Sequence, residues 1–187
     1  MTHTTQLVDA ACAGDRAALA ALFARHEGRL LAFLSARMSA DLARRVAPED
    51  VLQETLLEAS RKLDGFERQS DGASFYRWLV GIARNKVNEA HRAGAAKKRA
   101  AEVELDGDPA RTQTSPSGHA MRAEGAVHLA GALARLPERQ AEAVRLRYLE
   151  GMSLAETADR LACTEAAVKA LVARGLSALA DFVTGSD

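Results

Sequence analysis

The spacing of apolar residues along the chain predicts a protein that is helical nearly throughout. Apolar residues recur at intervals of three and four positions, and no segment alternates apolar and polar residues over the length of a strand. The first long helix is predicted from Asp15 to Met38. We interpret His26 as a half-buried member of its apolar face rather than as a ligand. That face consists of Leu19, Leu22, Phe23, His26, Leu30 and Phe33.

Two more helices are predicted in the N-terminal half. One begins at Pro48, since proline suits the first turn of a helix, where Glu49 and Asp50 also interact favourably with the helix dipole. The other begins at Phe75, after a polar loop with the sequence ERQSDGAS. The faces that we expect to be buried contain Leu52, Leu56, Ala59 and Leu63 in the first helix and Phe75, Trp78, Leu79 and Ile82 in the second.

The last third of the chain predicts three or four further helices. One of them begins at Pro137 and ends at Gly151, because proline favours helix starts and glycine favours helix ends. Its apolar positions are Ala141, Val144 and Tyr148. The apolar face of the final helix consists of Val168, Leu171, Val172, Leu179 and Phe182.

After Gly151 the sequence has a helix-turn-helix pattern, of which the final helix is the second helix. Ser153 and Glu156 have the spacing of a capping box, and Thr164 is suited to cap the final helix after a short turn around Ala162 and Cys163. A short helix, a tight turn and a capped second helix are typical of a DNA-binding helix-turn-helix. On this pattern alone, a plain helical hairpin remains the alternative.

Residues 93–126 differ in composition from the rest of the chain. They contain no aromatic residue and few large apolar residues, and their second half contains Pro, Gly, Ser and Thr. This composition predicts a flexible linker between a domain at residues 1–92 and a domain at residues 127–187. The alternative is a surface excursion of a single domain, although so long a loop is unusual.

The formal net charge of zero conceals two oppositely charged segments. Residues 84–99 contain six Lys/Arg and one acidic residue, a net charge of +5. Residues 41–58 contain five acidic residues and two arginines, a net charge of −3. Segments of opposite charge suit different partners.

The residue pattern predicts neither an enzyme nor a metal site. Cys12 and Cys163 are far apart, and no Cys/His cluster, nucleophile–histidine arrangement or Gly-rich phosphate loop is present in the sequence. The N-terminus lacks the pattern of a signal peptide, and no apolar run approaches membrane-spanning length. We therefore expect a reduced, cytoplasmic protein with no cofactor and no membrane insertion.

Three segments occur in an order and at a spacing that resemble the sigma-70 family of bacterial RNA polymerase initiation factors. They are PEDVLQETLLEASRKLDGF, FYRWLVGIARNKV and LARLPERQAEAVRLRYLEGMSLAETADRLACTEAAVKALVARGLSAL. The resemblance is to the compact extracytoplasmic-function type, because the linker is too short for the additional domain of larger sigma factors. It implies an all-α protein with a region 2-like domain over residues 1–92 and a region 4-like helix-turn-helix domain over residues 127–187.

The resemblance implies that the helix over residues 50–63 binds a coiled coil in the largest subunit of core RNA polymerase. Contact with the polymerase flap region is implied as well. Independently, a leucine among acids and amides opposite the buried face suits a protein interface. A solvated helix face that includes one leucine fits the same pattern. The residues assigned to polymerase binding are Asp50, Gln53, Glu54 and Leu57.

The resemblance also implies that residues 67–88 bind the −10 promoter element, where the duplex opens and a base is flipped out. Unstacked bases need stacking, amide and phosphate contacts, and Asn85 stands at a base-contacting position of the family. The loop before Phe75 is longer than in familiar relatives, so its base preference is not carried over. The residues assigned to this element are Ser70, Asp71, Tyr76, Arg77, Arg84, Asn85, Lys86 and Asn88.

The helix-turn-helix is implied to bind the −35 element as duplex DNA. The final helix is richer in alanine than is common in the family, and residues 127–187 contain seven Lys/Arg against eight Asp/Glu. Because phosphate contacts depend on cations, we expect weak −35 binding that relies on tethering. The residues assigned to this element are Arg147, Thr164, Glu165, Ala166, Lys169, Ala170 and Arg174.

The sequence thus predicts an initiation factor that binds core polymerase, recognises promoter DNA as duplex and as melted single strand, and assists opening. The family implies an anti-sigma protein as a further partner. One alternative is a helix-turn-helix regulator that acts without polymerase, and another is a helical interaction protein with no DNA role. The N-terminal segments favour the first prediction, since a simple regulator needs neither PEDVLQE nor FYRWLVGIARN.

Overall fold

The computed structural model describes residues 3–66, 73–101 and 119–184, and no strand occurs among them. The all-α prediction is therefore confirmed for these residues. The N-terminal part consists of α1 (His3–Cys12), α2 (Arg16–Arg37), α3 (Ala40–Ala43), α4 (Pro48–Lys62), a 3₁₀ turn (Leu63–Gly65) and α5 (Ala73–Ala101). The C-terminal part consists of α6 (His119–Ala134), α7 (Glu138–Val144), a π-helical turn (Arg145–Leu149), α8 (Leu154–Arg160) and α9 (Glu165–Thr184).

Local sequence signals fix the starts of the main N-terminal helices. The Asp15 carboxylate accepts hydrogen bonds from the backbone amides of Ala17 and Ala18, at 2.8 and 3.1 Å, and so caps α2. Pro48 is the first residue of α4, as predicted. Neither α1 nor α3 was predicted from the sequence.

The N-terminal core forms where α2 packs against α1, α4 and α5. Phe75 and Leu79 of α5 are fully buried, so the prediction that this face belongs to the core is confirmed. Trp78 is half-buried, and its ring centroid lies 5.1 Å from that of Phe66 and 5.6 Å from that of Phe75. The aromatic residues of this helix thus pack against each other and not toward solvent.

The C-terminal part contains the predicted helix-turn-helix. The Ser153 hydroxyl accepts a hydrogen bond from the Glu156 amide at 3.1 Å, and the Glu156 carboxylate accepts one from the Ser153 amide at 2.6 Å, which completes the capping box. The Thr164 hydroxyl accepts a hydrogen bond from the Ala167 amide at 3.2 Å at the start of α9. Ala158 is buried. The capping predictions are confirmed.

Tyr148, one of the three apolar positions of the predicted helix, is not part of its buried face. The π-helical turn after α7 places more residues in one turn than an α-helix does, and this rotates the residues that follow. Leu146 and Leu149 are buried instead, while Tyr148 is 48% exposed. Gly151, with a φ of +74°, then ends the segment as predicted.

The N-terminal and C-terminal parts pack directly against each other. Helix α6 lies along α2, and Leu133, Leu136 and Leu149 belong to the same buried cluster as Leu30 and Phe33. Helix α5 continues to Ala101 and α6 begins at His119, so both ends of the predicted linker are helical. The linker and domain boundaries stay predictions.

Candidate functional site

The exposed face of α4 has an apolar centre and polar edges. Leu57 is 57% exposed, whereas Val51, Leu52 and Ala59 on the opposite face are buried. The other residues assigned to this face, Asp50, Gln53 and Glu54, are exposed beside Leu57. The helix therefore presents all four predicted residues on one accessible surface, as its amphipathic pattern predicts.

The polar face of α5 is accessible to solvent in its C-terminal half, which contains Asn85 and Asn88. Asn85 and Asn88 are exposed, and both side chains are free to reach an external partner. The Lys86 ammonium donates a hydrogen bond to Glu89 at 3.1 Å, and this bond raises the pKa of Lys86. Lys86 therefore remains a cation on this surface.

The other half of the α5 polar face is occupied by the C-terminal part. The Arg77 guanidinium lies 3.1 Å from both carboxylate oxygens of Glu156. The Arg84 guanidinium lies 2.6 Å from the carboxylate of Glu150, which is only 6% exposed. Two cations that the sequence assigns to DNA are thus paired with acids in this conformation.

Tyr76 lies inside this contact. It is 2% exposed, and its hydroxyl donates a hydrogen bond of 2.5 Å to the Leu149 carbonyl. The Arg29 guanidinium stacks 3.8 Å from the centroid of the Tyr76 ring and donates a hydrogen bond to the Tyr148 carbonyl. Burial raises the pKa of the Tyr76 hydroxyl. Tyr76 was assigned to DNA, and in this conformation a nucleic acid has no access to it.

The assigned residues of the −10 loop are not all described. Ser70 and Asp71 lie outside the described residues.

The first turns of α9 present the residues assigned to the −35 element on one exposed surface. These are Thr164, Glu165, Ala166, Lys169, Ala170 and Arg174. Arg147 differs, because it is half-buried in the π-helical turn and donates a hydrogen bond to the Met152 carbonyl. The exposed surface has two cations, one acid and small side chains, which permit close approach to a groove.

A buried acid that the sequence analysis missed connects the two parts. Glu150 accepts hydrogen bonds from Arg84 of α5 and from Arg145, and Arg145 also binds Glu142. Glu156 was noticed only as a capping residue, yet it also pairs with Arg77. No local sequence pattern predicts the ion pair of Glu150, because its partner Arg84 is 66 residues away in the chain.

None of the described helices is long and apolar enough to cross a membrane. Among the described residues, no three His, Cys, Asp or Glu side chains are grouped so that they hold a metal ion.

Comparisons with known proteins match both parts of this arrangement. The family described as sigma-70 region 2 matches residues 22–97, and sigma-70, region 4 matches residues 128–179. The ECF RNA polymerase sigma factor BldN of Streptomyces coelicolor is 31% identical over 175 residues, which cover 94% of this chain and 64% of BldN. The ECF RNA polymerase sigma factor SigD of Mycobacterium tuberculosis is 30% identical over 190 residues, which cover 100% of this chain and 88% of SigD.

The chain belongs to the ECF sigma factors of the sigma-70 family. This sigma factor directs promoter-specific transcription initiation. Its region 2 match contains α4 and most of α5, and its region 4 match contains α8 and most of α9, the two helices of the helix-turn-helix. A solved structure of CnrH in complex with the cytosolic domain of CnrY is also similar, at 24% identity and a TM-score of 0.46, over 97% of each chain.

Proposed function

We propose that the exposed face of α4 is the surface by which this sigma factor binds core RNA polymerase. The observation that carries this proposal is Leu57, the most exposed large apolar side chain in the part of the chain that the structure describes. It stands among Asp50, Gln53 and Glu54, and an apolar centre with charged edges suits a partner helix. By family resemblance, that partner is the coiled coil of the largest polymerase subunit.

The assigned part of α5 forms the proposed −10 surface. Asn85 offers an amide for a base edge, and Arg77, Arg84 and Lys86 offer cations for phosphates. The aromatic residues Phe75 and Trp78 are not part of this surface, because they pack in the region 2 core.

The proposed −35 surface is the N-terminal half of α9. Lys169 and Arg174 are exposed there, but alanines occupy positions between them. Few phosphate contacts imply weak binding by region 4 alone, so we propose that tethering through region 2 and polymerase supplies the effective concentration. Nanomolar binding of promoter duplex by region 4 alone at moderate salt would contradict this.

The same proposal includes an anti-sigma protein as a partner and the cytoplasm as the place of action. Both rest on the family resemblance, and no geometry of such a partner is inferred.

The polymerase-binding face is tested by the double substitution Asp50→Ala and Gln53→Ala. Both side chains are exposed, so the circular dichroism and thermal melting of the variant should match the wild type. Binding to purified core polymerase, measured by fluorescence anisotropy, should fall by at least about tenfold. The variant removes a carboxylate and an amide that flank Leu57, and a hydrogen bond to a charged group is worth about 1.5–3 kcal/mol. The control is Gln6→Ala, an exposed position of α1 away from this face. Unchanged binding by the α4 variant would mean that another face meets polymerase.

A further inference from the structure

The contact between α5 and region 4 has the chemistry of a phosphate contact. Arg77 and Arg84 are seven residues apart on α5 and therefore lie on one face, two turns from each other. Each guanidinium binds a region 4 carboxylate, at 3.1 Å for Glu156 and 2.6 Å for Glu150. Because a guanidinium binds carboxylates and phosphates alike, each acid occupies a cation that the proposed −10 surface would offer to a DNA phosphate.

Region 2 also completes the end of a region 4 helix. The carbonyls of Tyr148 and Leu149 stand at the end of the π-helical turn, where the last carbonyls of a helix lack partners within the helix. The Arg29 guanidinium binds the first and the Tyr76 hydroxyl binds the second. The docked state therefore satisfies polar groups that separation of the regions would expose.

The backbone approaches closely at the same place. A Cβ atom on Gly151 would lie 3.1 Å from Cδ1 of Tyr76 and 3.3 Å from Cγ of Arg77. Glycine at position 151 therefore allows this close approach. It also adopts the φ of +74° at the end of the helix, which residues with a side chain rarely adopt. Region 4 fits onto α5 as a close-packed surface and not as a pair of long-range charges.

We propose that region 4 is an intramolecular inhibitor of −10 binding in the free sigma factor. Glu156 binds Arg77 and Glu150 binds Arg84. In this closed state, with region 4 docked on α5, neither arginine can bind DNA, so the closed state and the DNA-bound state exclude each other. This inference rests on the proposed −10 assignment of α5. We call the contact formed by Tyr76, Arg77, Arg84, Glu150 and Glu156 the interdomain latch.

The geometry of a promoter supports this proposal independently. Elements at −10 and −35 are separated by about 25 base pairs, which at about 3.4 Å for each pair amounts to about 85 Å. In the closed state the two regions touch through side chains 2.6 Å apart. A closed molecule therefore cannot hold both elements at once, and promoter recognition requires the latch to open.

The latch is tested by changing only its region 4 side. The double substitution Glu150→Gln and Glu156→Gln removes both acids but leaves every residue of the proposed −10 surface intact. Glutamine at position 156 preserves the capping box, so α8 should keep its start. The control is Glu138→Gln with Asp159→Asn, which removes the same two charges from region 4 at exposed positions outside the latch.

The first measurement needs neither DNA nor polymerase. The chain has two cysteines, Cys12 in α1 and Cys163 before α9, and neither forms a disulfide. Spin labels at these positions should give one narrow distance distribution by double electron–electron resonance in the wild type and in the control. The Glu150→Gln/Glu156→Gln variant should shift to longer and broader distances.

The second measurement is binding of the free sigma factor to a single-stranded −10 oligonucleotide from a promoter that it transcribes. Opening the latch should tighten binding by at least about tenfold, since apparent affinity is reduced by the fraction of molecules that is competent to bind. Should the double variant fail to fold, Glu156→Gln alone should still lengthen the distance and tighten binding by about threefold.

Two results would overturn the proposal. One is an unchanged distance in both glutamine variants. The other is a longer distance with no gain in DNA binding in a variant that still gives promoter-dependent transcripts with core polymerase. Failure of the proposed function looks different, because a protein with no polymerase or promoter binding can still show the change in distance. The two ideas therefore fail separately.

Discussion

The hydroxyl of Tyr76 in α5 donates a hydrogen bond of 2.5 Å to the backbone carbonyl of Leu149, which is 73 residues later in the chain. Tyr76 is buried between α2 and the end of the π-helical turn, and its ring lies under the Arg29 guanidinium. One side chain of region 2 thus satisfies a carbonyl of region 4 while its ring fills the space between them.

Tyr76→Phe should lower the free energy of unfolding by about 1–2 kcal/mol, because it leaves the Leu149 carbonyl without its partner in a buried place. Chemical unfolding followed by circular dichroism measures this. Tyr148→Phe is the matched control, since the Tyr148 side chain is 48% exposed and its removal should change stability by less than about 0.5 kcal/mol. Equal effects of the two substitutions would contradict a specific role of the Tyr76 hydroxyl.

His26 gives the protein a predictable dependence on pH. Its Nε2 atom is buried and has no hydrogen-bond partner among the described residues, and its ring centroid lies 5.4 Å from that of Tyr76. Burial, together with the charges of Arg29 and Arg25, lowers the pKa of His26 from 6.5 to about 4. Between these two values the unfolded chain binds more protons than the folded chain, so acidification lowers the free energy of unfolding.

The substitution His26→Leu should therefore flatten the pH profile of stability. On going from pH 7 to pH 5, the variant should lose about 1–2 kcal/mol less unfolding free energy than the wild type does. Urea unfolding at a series of pH values measures the difference. His91→Leu, at an exposed position of α5, is the control for the removal of one histidine. Parallel profiles for wild type and His26→Leu would show that His26 titrates alike in both states.

The turn of the helix-turn-helix contains a strained residue. Ala162 has a φ of +48°, in the left-handed region that disfavours side chains with a Cβ atom. Ala162→Gly should raise the unfolding free energy by about 0.5–1 kcal/mol, because relief of this strain exceeds the added entropy of the unfolded chain. Thermal melting measures the change.

The matched control for this substitution is Ala173→Gly. Ala173 is exposed in the interior of α9, where glycine destabilises a helix by about 1 kcal/mol. The two alanine-to-glycine changes should thus have opposite signs, and destabilisation by both would mean that Ala162 is not strained in solution.

Local signals in the sequence predict much of this structure. The Ser153 capping box, the exposed Leu57 and the buried Phe75 each follow from residue type and helical spacing within a few turns. These features depend on neighbours in sequence, so they can be inferred without knowing how the helices pack.

Other features depend on contacts that no local pattern encodes. Tyr148 has the correct spacing for burial, but the π-helical turn rotates it outward. The sequence does not indicate whether Arg77 and Arg84 bind phosphates or carboxylates. In the structure they bind the carboxylates of Glu156 and Glu150, respectively. The choice between these partners is made by packing between regions that are far apart in the chain.

The most direct test of the central claim is run-off transcription with purified core polymerase and a library of promoter sequences. We predict transcripts only when the sigma factor is present, from templates that share a −10 and a −35 element. Substitution of Asp50 and Gln53 by alanine should abolish these transcripts. Transcription that does not depend on the factor, or transcripts with no common promoter elements, would contradict the assignment of this chain as a promoter-directing sigma factor.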